Sequence, residues 1–201
     1  MLNNYKDPLL LSQLDDLFVT LSKISSQVHS ALVQVSVRPL ISAVTSAVPE
    51  NSDDTDSRIL ASSALQLINS IVGARENGLE PGVIESTGTV LFAILERSED
   101  KAVVQDGIEL LTVYIRKDSQ VLLSWQDQAS EVPTLMRILN VIAKQLSASQ
   151  SEGSSLFIGD LITHLFRNVG FDILDPALPQ LLKAILDRLA LSKTSSFTQV
   201  S

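Results

Sequence analysis

Apolar residues recur along this chain at the three- and four-residue spacing that places side chains on one face of a helix. Leu10, Leu14, Leu17, Leu21 and Ile24 form the first stripe. It is entered through Asp7 and Pro8, a carboxylate that accepts from free amides followed by a residue whose missing donor costs nothing at a helix start. Val37, Leu40, Ile41, Val44 and Val48 predict a second helix, with Pro39 near its start or kinking it. A polar run over 49–56 breaks the pattern. Leu60, Ala64, Leu67 and Ile71 then mark a third helix that ends within 73–78. A fourth starts after Glu80 and Pro81 and is lined by Val83, Leu91, Ile94 and Leu95.

The clearest stripe is the fifth, Val104, Ile108, Leu111 and Ile115, with Ser98 placed to cap it. The stretch 120–132 reads as a short helix plus a connector. After Pro133 a sixth helix carries Leu135, Ile138, Leu139, Ile142 and Leu146. Beyond a serine-rich segment, Ile158, Leu161, Ile162, Leu165 and Val169 give a seventh, with Gly170 placed to terminate it. Asp175 and Pro176 cap an eighth, lined by Leu178, Leu181, Leu182, Ile185 and Leu189. Nowhere is two-residue alternation sustained, so no sheet is expected.

The expected fold is therefore all-α. The helices pair naturally, and Pro39, Pro81, Pro133 and Pro179 fall near the openings of the second members at intervals of 42, 52 and 46 residues. Those intervals approach the roughly 40–47 residues of HEAT or armadillo units. Four antiparallel hairpins over 8–49, 56–97, 99–148 and 154–192 would form one array across 1–201, an α-solenoid whose neighbours cover each other's apolar faces. An ordinary helical bundle with coincidental spacing is the alternative.

Composition narrows the classes of function. With 201 residues and 45% hydrophobic content the chain can bury a substantial core. It has no cysteine, which removes disulfides, thiolate nucleophiles and cysteine-based zinc sites and fits a reducing compartment. No apolar run approaches the roughly 20 residues of a membrane span, and the amino terminus does not read as a secretory signal. A formal charge of -8 disfavours direct nucleic acid binding and favours basic partners.

Three stretches resemble the importin-β family of nuclear transport receptors, in particular its importin-nine branch. They are 53–71 (DDTDSRILASSALQLINSI), 105–125 (QDGIELLTVYIRKDSQVLLSW) and 156–189 (LFIGDLITHLFRNVGFDILDPALPQLLKAILDRL). The polar details carry the likeness: the run from Asp54 to Arg58, the Arg116-Lys117-Asp118 ending and the isolated Trp125. The resemblance implies a central-to-late HEAT-repeat portion of a longer receptor, shuttling between cytoplasm and nucleus. It implies protein cargo on a concave surface, basic and with core histones first, and phenylalanine-glycine nucleoporins between outer helices. Contact with the GTPase Ran in the family is made mainly by amino-terminal repeats, so this portion is expected to bind GTP-loaded Ran poorly. A generic HEAT scaffold of a multiprotein complex would share the same physics.

Chemistry is poorly supported. Nucleophilic catalysis needs an activated nucleophile beside an oriented base. Asp160 and His164 lie one helical turn apart, but an exposed or capping histidine is the commoner role, and His29 falls in an expected loop. No metal-ligand spacing or phosphate-binding loop is present, so neither metal nor cofactor is expected. The most suggestive polar feature is the acidic run Glu50, Asp53, Asp54 and Asp56. It reads as a solvated loop in which Asp54 or Asp56 caps the next helix, or as a cargo-facing acidic loop. Trp125 suits either a core plug or an exposed anchor, with the core favoured.

Overall fold

A computed structural model describes residues 6–47, 54–75, 78–147 and 154–196, and every element within them is helical. In chain order these are α1 (Pro8–Ile24), α2 (Ser26–Ala47), α3 (Thr55–Gly73), α4 (Val83–Arg97), α5 (Lys101–Ser124), α6 (Thr134–Leu146), α7 (Ser154–Asn168), the single turn α8 (Phe171–Leu174) and α9 (Leu178–Ser196). A 3₁₀ turn, Asp175–Ala177, joins the last two.

Local chemistry explains most boundaries. The Asp7 carboxylate accepts from the Leu9 and Leu10 amides at 3.0 and 3.3 Å, with Pro8 at the first helical position of α1. Asp54 caps α3 in the same way, and α4 opens on Gly82 at φ 83°, a left-handed conformation that glycine adopts without strain. α5 is capped by Asp100, whose carboxylate accepts from the Val103 amide at 3.0 Å, and not by Ser98 as the sequence suggested. Ser98 instead closes α4, its amide donating to the Ile94 carbonyl at 2.8 Å.

Several expected boundaries shift. α2 begins at Ser26, a single residue after α1, so Pro39 lies inside a 22-residue helix and His29 is helical, not in a loop. An interior proline costs about 3 kcal/mol. Burial of Val37, Leu40, Ile41 and Val44 outweighs that cost, at about 1.5–3 kcal/mol for each large side chain. Both Pro39 and Val35, the residue whose carbonyl lacks its usual donor, are on the solvent side. Part of the 120–132 stretch belongs to α5, which breaks at Asp118 (φ -158°, ψ 73°) and resumes because the Asp118 carboxylate accepts from the Val121 amide at 3.1 Å. Gly170 (φ -57°) begins α8 instead of closing α7 in a left-handed turn. Asp175 and Pro176 form the 3₁₀ turn, and α9 follows at Leu178.

The substantial helix contacts are short-range in chain order. α1 packs on α2 and α3, α2 on α3 and α4, and α3 on α5. α4 packs on α5 and α6, α5 on α6 and α7, and α6 on α7 and α9. One apolar core runs through them from Phe18 to Leu181, with Leu65, Ile68, Ile71, Leu91, Leu95 and Leu110 wholly buried. No described helix is long and apolar enough to cross a membrane.

Candidate interaction surface and its polar supports

The acidic run predicted from sequence is only partly in view, because Glu50 and Asp53 lie outside the described residues. Asp54 caps α3. Its carboxylate accepts from the Asp56 and Ser57 amides at 3.3 and 3.2 Å and from the Ser57 hydroxyl at 2.7 Å. These bonds, the Ser57 hydroxyl foremost, hold the carboxyl below its ordinary range. Asp56 pairs with Lys6 at 2.6 Å, with both side chains about half exposed. The two described carboxylates therefore stay at the surface, one fastened to a helix start and the other bridged to the segment preceding α1.

A buried ion pair, Arg137 with Asp127, is one that the sequence did not suggest. Arg137, on the inward face of α6, is 5% exposed and donates to Asp127 at 2.6 Å and to Glu96 at 2.6 and 3.0 Å. Burial pushes the Asp127 carboxyl up. The Ala129 amide, the Arg137 guanidinium and the Thr89 hydroxyl outweigh it and hold the group low. Arg137 also lies over the Phe92 ring, its Cζ 4.3 Å from the centroid. Phe92 in turn stacks on Trp125 with centroids 6.1 Å apart and planes 12° from parallel.

Trp125 is partly buried and packs against the core, and the approach is close. A Cβ on Gly88 would stand 2.7 Å from the indole, so glycine is required where the connector crosses α4. The network clamps residues 125–133 between α4 and α6, aided by the Thr134 hydroxyl donating to the Trp125 carbonyl at 2.6 Å. Lys144 caps the end of α4, donating to the Glu96 carbonyl at 2.9 Å. A signal for Arg137 was present in the sequence. It falls one residue before Ile138 on the same face as Thr134, Val141 and Gln145, where an exposed charge has no place.

A second buried acid joins α3 to α5. Asp106 accepts from the Ser62 hydroxyl and, at 3.2 and 3.3 Å, from the Gln66 amide. Burial pushes its carboxyl up to about 6 against those two bonds, and Glu109 and Asp100 raise it further. Since this is above the ordinary value of 3.8, the folded chain holds the proton more tightly than the unfolded one. Stability is greatest below about 4 and falls as pH rises towards 6. Asp106→Asn is accordingly expected to be more stable than the parent at pH 8, by on the order of 1 kcal/mol after allowance for solvent screening. The difference should vanish at pH 4. Urea unfolding at the two pH values measures it, and an equal offset at both would show that the carboxyl titrates normally.

The remaining candidates do not converge. His29 is buried in α2, and burial, with Arg75 and Lys117, lowers its pKa against the pull of Glu80. No hydrogen bond or ion pair joins Asp160 to His164, whose carbonyl accepts from Asn168 at 2.8 Å. Among the described residues no three potential ligands gather into a metal site. No known protein family's sequence profile matches the chain.

Proposed function

We propose that this chain is an α-solenoid of stacked HEAT-type helix hairpins that binds basic protein cargo, as part of a nuclear import receptor of the importin-β kind moving between cytoplasm and nucleus. The single observation that carries the reading is the order of packing. α1, α3, α5 and α7 contact one another in sequence, and α2, α4, α6 and α9 do the same. Two rows of helices in contact in chain order are compatible with a stack of hairpins, whereas a closed bundle brings its first and last helices together. Such a stack presents a long continuous surface, and the charge of -8 suits it to a basic occupant. The family likeness of the three stretches quoted above supplies the choice of core histones as cargo, with Ran and the nucleoporins engaged through a longer receptor. Binding is by shape and charge complementarity, with no catalytic step.

Core histone dimers titrated into the chain across a salt series test the proposal. Expected are saturable binding that weakens as salt rises and no comparable binding of an acidic protein of similar size. Indifference to cargo charge would overturn it, as would tight nucleotide-dependent binding of Ran to this portion alone. The acidic loop is tested separately by converting Asp53, Asp54 and Asp56 together to asparagine. Asparagine keeps the capping oxygen on α3 while removing charge. A several-fold slower association with unchanged circular dichroism is expected. A parental rate at every salt concentration would assign the loop to the role of connector.

A further inference from the structure

α2 follows α1 after a single residue, Ser25. The Ser25 hydroxyl accepts from the Val28 amide at 3.2 Å, and its carbonyl accepts from the His29 amide at 3.0 Å. His29 therefore stands in the first turn of α2, where the dipole of the helix start disfavours a positive charge. Its side chain is 5% exposed, and its Nδ1 is buried with no hydrogen-bond partner among the described residues. On the α1 side of the same joint the Ser22 hydroxyl is buried in the same unpartnered way. Charges reach the imidazole from several elements. Arg75 follows α3, Lys117 lies on α5, and before α4 comes the Glu80 carboxylate, which accepts from the Ser30 hydroxyl at 2.8 Å. α1 adds Lys23 in its last turn.

We propose that this joint is an acid-sensitive latch: protonation of His29 releases α1 from α2 and α3 while the rest of the core stays packed. An imidazolium carries N–H donors on both ring nitrogens, and a charged donor left unpaired in the interior costs more than a neutral one. Burial is the main reason that the folded chain holds this proton less tightly than the unfolded one. Arg75 and Lys117 act in the same direction, and Glu80 opposes them. The pKa lies below the ordinary 6.5, so docking of α1 is complete above that value and weakens as pH falls below it. The sign is opposite to that of Asp106, whose contribution grows on acidification. α1 is the element that yields because it is held least. Phe18 and Ser22 are its buried residues, whereas Leu9, Leu17 and Ile24 are exposed. α5, by contrast, buries Ile108, Leu110, Leu111, Tyr114 and Ile115. The inference is independent of the cargo proposed above.

His29 and His164 are the two histidines of the chain, so in His164→Asn a single imidazole remains to be followed by proton NMR. It is expected to titrate below 6.5. Hydrogen exchange of the unaltered chain at pH 8 and pH 5, corrected for intrinsic rates, separates local from global opening. The α1 amides should lose protection several-fold at the lower pH while those of α5 keep theirs. His29→Met, an apolar side chain that fills the same space, and His29→Gln, neutral at both values, should each leave α1 protected at pH 5. An imidazole that titrates at or above 6.5 would overturn the inference, as would unchanged protection of α1 at pH 5 in the unaltered chain. So would α1 and α5 opening together, or a loss of α1 protection that persists in the His29 variants.

Discussion

Arg137→Ala is expected to lower the unfolding free energy by about 3–5 kcal/mol. The reason lies less in the attraction lost than in what is left behind. Asp127 has a side chain only 3% exposed and keeps its negative charge with the Thr89 hydroxyl and the Ala129 amide as its remaining donors. Removing the guanidinium strands that carboxylate in a place water barely reaches, while the Phe92 face loses its cation. Glu96 matters less, since its side chain is 36% exposed and can turn to solvent. Arg137→Met combined with Asp127→Asn should therefore recover at least half of the loss, because a neutral side chain with its hydrogen bonds intact replaces the orphaned charge. Urea denaturation followed by circular dichroism measures both. A single variant within about 1 kcal/mol of the parent would show that the buried pair is not retained in solution.

Phe92→Ala should cost a similar amount, about 3–5 kcal/mol, for a different reason. The ring is fully buried on α4, between the Trp125 indole and the Arg137 guanidinium, so its removal opens a cavity that three elements border. Phe92→Leu fills most of that space and should lose far less. Trp125 is the sole tryptophan, and its emission reports directly on the stack. A red shift and weaker protection from a water-soluble quencher are expected for Phe92→Ala, since the connector 125–133 loses the surface it lies on. Unchanged emission would mean that Gly88 and the Thr134 hydroxyl hold the indole without Phe92. The effects of Phe92→Ala and Arg137→Ala should fall short of additive, because the two residues touch.

Much of what depends on contacts within a few residues was legible in the chain, although the Asp100 cap of α5 and the 3₁₀ turn at Asp175 and Pro176 were not. The stripes of α3, α4, α5 and α6, the cap pair Asp7 and Pro8, an aspartate cap on α3 (Asp54 or Asp56, of which Asp54 serves) and the start of α4 after Pro81 all follow from helical period and cap chemistry. The acidic run could be seen but its role could not, since nothing local to Asp56 predicts a bridge to Lys6, fifty residues earlier. The helical form of residues 26–36 was hidden by Pro39, a strong local stop signal that the burial of α2 against α1, α3 and α4 overrides.

Period, caps and turn residues, all interactions between chain neighbours, were enough to establish a chain of helices with no strands among the described residues and the approximate place of most of their ends. Which charges are buried, and against what, depended on residues brought together from far apart. Arg137 finds Glu96 across 41 positions, Asp106 meets Ser62 across 44, and Gly88 lies beneath the Trp125 indole. A lone arginine or aspartate on an apolar face is unfavourable until its partner arrives. Its role is therefore a property of the packed pair and cannot be read from either residue alone.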